Sequence, residues 1–319
     1  MAEEQAPEDL LQRQVAGDVR EISETHLDGV DAVIHLAAIS NDPMGSRFEK
    51  ITEEINFRAS LELARRCVRQ GVRHFVFASS CSLYGYAEGK ARVETDPLNP
   101  LTAYARSKAA AEQHLSSMDL GDTLVTCLRF ATACGASERL RLDLVLNDFV
   151  ASALMEKKIK VLSDGSPWRP LIDVKDMARS MEWALGRDAE VSGKFLSVNV
   201  GMESWNFQVR DLANAVAAEI PNSLVSINQQ APPDRRSYQV DFSLFRKIAP
   251  RHQPVATLKE TIRQLQTLLQ REICRSPQGF NPEKWMRLKT LERHLCAGDL
   301  RQDLRWETGQ RQRTARMRT

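Results

Sequence analysis

An alternation along the chain limits the possible folds more than any other feature. Short apolar runs rich in β-branched residues recur: "DAVIHLAA" (31–38), "HFVFASS" (74–80), "TLVTCLRFA" (123–131), "IKVLSD" (159–164) and "FLSVNVG" (195–201). Between them lie segments of helical periodicity, 48–71, 103–118, 144–157 and 174–186, the first and last of which end at Gly71 and Gly186. A strand that is apolar on both faces has to be covered on both faces, and a helix between two such strands makes the crossover of a parallel pair. The pattern therefore predicts an α/β protein with a Rossmann-like parallel sheet and helices on both sides. From about residue 202 the strand signal fades into "FQVRDLANAVAAEI", a Pro-Pro-Asp turn and further helical pattern. We expect a sheet domain over 1–201 and a smaller, mostly helical lobe over 202–319, the lobe borrowing residues from about 132–175.

Composition removes several classes of function. With 44 basic and 42 acidic residues the formal charge is +2, which calls for neither nucleic acid nor an anionic membrane. The arginine-rich end "RWETGQRQRTARMRT" reads as a solvated tail, with a nucleic-acid arm as the alternative. Cys67, Cys81, Cys127, Cys134, Cys274 and Cys296 show no CxxC spacing, so reduced thiols in a cytoplasmic protein are expected. The start "MAEEQAPEDLLQRQ" is acidic and polar where a signal peptide is basic and then apolar, and no run approaches ~18 apolar residues. Neither export nor membrane insertion is expected. The six histidines lack ligand-like spacing, so no metal is expected, and His35 reads as a strand histidine.

Chemistry concentrates in two stretches. In "LTAYARSKAAAEQHL" (101–115), Tyr104 and Lys108 stand one helical turn apart and face the same way. By spacing alone they are either a catalytic pair or two residues sharing a surface. Upstream, "FVFASSCSLYG" is a buried strand ending in Ser79, Ser80 and Ser82. The carboxyl ends of parallel strands are where ligands bind, although serines there also cap turns. Ser-Ser-x-x-x-Tyr-Gly followed by Tyr-x-x-x-Lys is a compound pattern. It resembles the extended short-chain dehydrogenase/reductase family, in particular NAD-dependent nucleotide-sugar epimerases and dehydratases.

The resemblance implies a set of roles. Asp18 and Val19 in "GDVRE" would meet the adenine of NAD, and Leu36, Ala37 and Ala38 would line the dinucleotide. Asn56, Ser79, Tyr104 and Lys108 would complete the cofactor site, with Tyr104, Lys108 and Ser80 catalytic. Ser82, Thr132, Arg169 of "GSPWRPLIDV" and Arg236 of "PPDRRSYQVD" would hold a nucleotide-diphosphate sugar, the two arginines bracketing its phosphates. A homodimer built from two helices flanking the Tyr-x-x-x-Lys motif is also implied.

The chemistry follows from the residue types. A phenol titrates near pH ~10, and bringing it to neutrality takes ~3 units, or about 4 kcal/mol in favour of phenolate. A lysine ammonium one turn away and a cationic nicotinamide are the source of that stabilisation, and Ser80 steadies the reacting oxygen. Dehydratases of the resembled family place an Asp-Glu pair directly after the catalytic hydroxyl residue, where this chain has Cys81 and Ser82. Dehydration is thus disfavoured, and 4-epimerisation through a keto-sugar is expected. A ketone reductase would use the same residues, and a non-catalytic nucleotide-sugar binder is a further alternative.

Two departures stand out. Asp173 occupies a position where relatives often carry histidine, and its charge, if near the site, would weaken diphosphate binding. The chain also contains no Gly-x-x-Gly-x-x-Gly turn, its first glycine being Gly17. Residues 1–16 are too few and too polar for a strand, helix and second strand, and "PEDLLQRQ" reads as a short helix. An N-terminally shortened member is expected, with the first strand or strands missing, "DAVIHLAA" at an open edge and NAD binding weakened.

Overall fold

The computed structural model describes residues 11–87, 89–231, 237–276 and 279–307. In chain order these form β1 (Ala32–His35), α1 (Asp42–Arg47), α2 (Glu49–Glu53), a π-helical turn (Glu54–Ala59), α3 (Ser60–Arg69) and β2 (His74–Ser80). A 3-10 turn (Cys81–Tyr84) precedes α4 (Ala103–Ser117), β3 (Leu124–Phe130), β4 (Thr132–Cys134), α5 (Val145–Glu156), β5 (Lys158–Val161) and β6 (Trp168–Asp173). Then come α6 (Val174–Leu185), α7 (Ala189–Ser192), β7 (Phe195–Val200), β8 (Asn206–Gln208), α8 (Val209–Glu219) and β9 (Leu224–Ile227). The chain continues through α9 (Ser243–Ile248), α10 (Leu258–Cys274) and α11 (Arg287–Cys296).

The main sheet has the order β1-β2-β3-β7, and every pair in it is parallel. Side chains alternate across it with the period of two that a strand imposes. Phe75 and Phe77 of β2, with Val125 and Cys127 of β3, pack against Leu61, Ala64, Ala111 and Leu115 of α3 and α4. Val76, Leu128 and Phe130 face the opposite way, toward Ala184 of α6 and Phe245 of α9. Each fully buried Phe or Leu in these layers contributes about 2–3 kcal/mol of transfer free energy. A third core lies among α5, α8 and α10, where Leu146, Phe149, Ile159, Leu212 and Leu265 meet.

Three features differ from the sequence-based expectation or extend it. After residue 202 the described residues form two strands as well as helices: β8 pairs antiparallel with β6, and β9 pairs parallel with β5. These strands are three and four residues long, too short for alternation to register. Residues 11–14, the described part of "PEDLLQRQ", are not helical. The stretch is exposed and has no apolar face to bury, and a lone turn does not sustain itself in water. β1 stands at the edge of the sheet with β2 as its partner among the described residues, and Ile34 and Leu36 there are 39% and 55% exposed. This is the open edge expected from the sequence.

All six cysteines are free thiols, four of them buried. Among the described residues no helix is long and apolar enough to cross a membrane.

Candidate active site

The site forms where the carboxyl end of β2 meets the first turns of α4. β2 lies between β1 and β3, so its end opens into the crevice above the sheet rather than at its margin. The strand stops at Ser80, whose Oγ accepts the Ser82 N–H at 3.1 Å and caps the 3-10 turn. The turn closes at Gly85, with φ +62°, and a Cβ there would lie 1.9 Å from the carbonyl oxygen of Asn99. Only glycine permits both the conformation and the approach.

On the other side, Thr102 Oγ1 accepts the Ala105 N–H at 3.2 Å and fixes the start of α4. The small residues Ala103, Ala105 and Ala111 let this helix sit close against its neighbours, and Lys108 is carried inward until only 1% of it is exposed. Lys108 Nζ donates to the Ala78 carbonyl at 2.7 Å and lies over the Phe77 ring, 4.3 Å from its centroid. The Tyr104 ring centroid is 5.9 Å from the same nitrogen, and the Ser80 hydroxyl acts on the Tyr104 phenol. Tyr104 and Lys108 are therefore not a surface pair.

Electrostatics follow from burial. Desolvation lowers the Lys108 ammonium to about 8. Desolvation also raises the Tyr104 phenol above its usual value, while the Ser80 hydrogen bond and the Arg141 guanidinium pull it back. The phenol is thus protonated at neutral pH.

Asn56 reaches this region from the π-helical turn, a distortion that recurs at functional sites. Its Oδ1 accepts the Ile39 N–H at 2.8 Å, and its Nδ2 donates to the Ile39 carbonyl at 2.9 Å and to Ser107 Oγ at 3.1 Å. Ser107 Oγ in turn donates to the Tyr104 carbonyl at 2.8 Å. Asn56 thereby ties the segment after β1, which carries Leu36, Ala37 and Ala38, to the helix that carries Tyr104. Leu36 and Ala37 are exposed, and Ala38 is half-buried.

Two hydroxyls point to a ligand. Ser79 Oγ and Ser82 Oγ are buried and have no hydrogen-bond partner among the described residues. An unsatisfied buried hydroxyl costs free energy that a bound polar group would recover.

The remaining expected residues are placed less uniformly. Arg169, on β6, is half-buried, and its Nη1 donates to the Trp168 carbonyl at 2.8 Å. Thr132 begins β4, opposite Leu171 of β6. Arg236 lies outside the described residues; Ser237, which follows it, accepts the Trp168 N–H at 3.1 Å beside Arg169. Asp18 is engaged away from the serine cluster. Its carboxylate takes Arg20 Nε at 2.9 Å and Nη2 at 2.5 Å, and Val19 follows it in a 3-10 turn.

Two residues escape a reading of the sequence. Tyr238 is buried, and both Arg169 and Tyr104 act on it electrostatically. Arg141 holds the backbone and hydroxyl of Ser40 at 3.0 and 3.1 Å and acts on Tyr104 across the crevice. Neither sits in a spacing that distinguishes it from other tyrosines and arginines.

The model of the NAD dependent epimerase/dehydratase family matches residues 3–201. The chain belongs to this family. Among its curated relatives are an uncharacterized UDP-glucose epimerase, YtcB, of Bacillus subtilis, 30% identical over 55% of this chain and 54% of that one, and a UDP-glucuronate 4-epimerase of Thermodesulfobacterium geofontis, 28% identical over 50% and 49%. The chain spans about half the length of these relatives. Among solved structures, MoeE5 in complex with UDP-glucose and NAD superposes with a TM-score of 0.69 at 25% identity, covering 81% of this chain and 86% of that one.

Within the family, Asp173 and Cys81 now have a structural meaning. Asp173 does not face the serine cluster. It is 2% exposed, its Oδ1 caps α6 by accepting the Lys175 N–H at 2.9 Å, and its Oδ2 accepts from Thr261 Oγ1 of α10 at 2.7 Å. Its carboxylate caps a helix N-terminus and takes the Thr261 hydroxyl, so both of its oxygens are engaged within the protein. Cys81 is fully buried and donates its thiol to the Arg129 carbonyl at 3.0 Å, and burial raises its pKa.

Proposed function

We propose that this chain is an NAD-dependent nucleotide-sugar epimerase-type enzyme, which inverts a sugar hydroxyl through a transient keto-sugar. The observation that carries the reading is buried Lys108, held under the Tyr104 ring at the end of the strand that carries Ser80 and set next to the unpartnered hydroxyls of Ser79 and Ser82. Curated relatives named as UDP-sugar epimerases support the substrate class. A homodimer belongs to the same reading and rests on the family likeness.

The residues fit the redox end of NAD. Ser79 offers a buried hydroxyl without a partner, and Lys108 has N–H donors beyond the one given to Ala78. When bound, NAD supplies a hydride acceptor and donor. Only with the positive charge of the nicotinamide added to that of Lys108 would the buried phenol become phenolate; Tyr104 would then take the proton of the sugar hydroxyl and return it, with Ser80 holding the reacting oxygen. Ser82 and Arg169 orient the sugar and its phosphates, with Arg236 as a second arginine. Leu36, Ala37, Ala38, Asp18 and Val19 belong to the dinucleotide side, where Asp18 is held by Arg20. Cys81 cannot act as a carboxylate would, because a buried, hydrogen-bonded thiol with a raised pKa is no base at neutral pH, so elimination of water lacks its second group.

The Arg20–Asp18 pair favours a second reading, a nucleotide-sugar binder with impaired or lost turnover. The test is NMR-monitored turnover of UDP-glucose and UDP-galactose with added NAD, alongside quenching of tryptophan fluorescence. Turnover that disappears in Tyr104→Phe is expected. Quenching without turnover supports the binder, and neither signal overturns both readings.

A further inference from the structure

Ser80 and Tyr104 come from different elements, and their separation has to be held by something beneath them. Four residues after Ser80, at the end of the 3-10 turn, lies Tyr84, which is 1% exposed. Four residues after Lys108, one turn further along α4, lies Glu112, also buried. One side chain meets both. Arg129, on β3, donates Nε to Glu112 Oε2 at 2.9 Å and Nη2 to the same oxygen at 2.7 Å, and donates Nη1 to Tyr84 Oη at 3.0 Å. Nη1 also reaches the Glu94 carbonyl at 3.1 Å, in the segment between the turn and α4.

The contact is braced on the far side. Tyr84 Oη donates to Asn199 Oδ1 of β7 at 2.7 Å, and Asn199 N–H donates to Glu94 Oε1 at 2.8 Å. Ser197 Oγ, also on β7, donates to Glu112 Oε2 at 3.1 Å. Arg129 stands directly opposite Ser79 on one side and Asn199 on the other in the sheet register. The guanidinium's planar fork thus fixes a turn, a helix and two strands in one geometry.

We infer that Arg129, through Tyr84 and Glu112, is a positioning residue that sets the distance between the Ser80 and Tyr104 hydroxyls. The inference rests on the preceding reading of Tyr104 as the acid–base group. Arg129 touches neither hydroxyl; it holds the turn that ends β2 against the helix that carries the phenol. A network of buried charged hydrogen bonds resists small displacements because any one lost bond leaves a desolvated group unpaired. Loosening it lets the Ser80 hydroxyl move away from the phenol, and that hydroxyl is one of the influences that keep the phenol from rising further.

Tyr84→Phe tests this, since it deletes one hydroxyl and leaves the Arg129–Glu112 pair in place. Thr126→Val is the comparator: Thr126 is on the same strand and its hydroxyl accepts from Arg187, in a buried cluster apart from the site. The first readout is the ionisation of Tyr104, followed through the 13C shift of its Cζ carbon against pH and assigned with Tyr104→Phe. The charged and polar groups around the phenol, Ser80, Arg141, Asp42, Cys81 and Lys108, are the same in both variants. The second readout is kcat and KM for the UDP-sugar with NAD.

In Tyr84→Phe the Tyr104 midpoint is expected to rise by about one unit, with kcat about tenfold lower and KM within about twofold. Thr126→Val is expected to move none of these. An unchanged Tyr104 midpoint in Tyr84→Phe, or an equal shift in Thr126→Val, overturns the inference. A wild-type chain without turnover overturns the enzymatic reading alone, because the titration still decides whether the clamp sets the phenol's environment.

Discussion

The side chain of Asn56 closes a two-bond ring with the backbone of Ile39, accepting its N–H at 2.8 Å and donating to its carbonyl at 2.9 Å. A carboxamide is the side chain that offers one acceptor and one donor side by side in this geometry. The ring joins the chain leaving β1 to the π-helical turn, and a third bond to Ser107 extends it to α4.

Asn56→Asp keeps the acceptor and replaces the donor by an oxygen that faces the Ile39 carbonyl. Because Asn56 is fully buried, the mismatch is expected to cost about 2–3 kcal/mol. Urea unfolding of the two proteins measures it, and equal midpoints would show that the ring carries no stability.

Lys108 gives the site an alkaline limit. Its ammonium titrates at about 8, so it is charged below that pH and neutral above it. If the charge favours the Tyr104 phenolate, kcat falls as pH rises through 8, and Lys108→Met lowers kcat at pH 7 by roughly a hundredfold. Stability moves the other way. The unfolded lysine keeps its proton to 10.5, so the cost of burying the charge is relieved between pH 8 and 10.5, and stability rises across that window. A kcat–pH profile flat to pH 10 would contradict the assigned role.

His35 sets the acid limit of the fold. It is buried, with its Nε2 2.8 Å from Ser60 Oγ, and it stacks on Phe77. Desolvation, with the Lys108 charge adding to it, lowers its pKa from 6.5 to about 3. The unfolded imidazole binds a proton first as the pH falls, so the stabilisation is complete above 6.5 and is lost progressively from 6.5 down toward 3, amounting to roughly 4 kcal/mol. His35→Gln is expected to flatten the stability–pH curve over that window, as read by thermal or urea unfolding at several pH values.

Gly85 and Gly71 make a matched pair. Both have positive φ, +62° and +70°, but a Cβ at Gly71 meets open space and one at Gly85 meets the Asn99 carbonyl. Gly71→Ala is expected to cost about 1 kcal/mol and to spare any activity, whereas Gly85→Ala should cost more than ~2 kcal/mol and abolish turnover by displacing the turn that carries Ser80. Unfolding curves and turnover assays of the two variants separate conformational strain from steric conflict.

Much of the scaffold is legible in the order of the residues. "HFVFASS" forms β2 residue for residue, and "AYARSKAAAEQHLSSM" forms α4 to within a residue. The cluster of Ser80, Tyr104 and Lys108 is readable as well, because a strand end and a helix start are each marked by local signals. The short strands β8 and β9 are not, since three or four residues carry no period and owe their conformation to β6 and β5. The role of Asp173 is not legible either, because a sequence gives a residue type and not the direction it faces.

Local sequence dictates the layers of this protein and the end of the sheet at which a site would form. Periods of 2 and 3.6, turn glycines and caps act within a few residues, so they can be read from a few residues. The packed fold alone decides that Lys108 is buried under Tyr104, that Asp18 is paired with Arg20, and that Arg129 joins Tyr84 to Glu112. Those contacts depend on desolvation and on the close approach of elements that the chain order does not bring together, and such effects exist only once the core has packed.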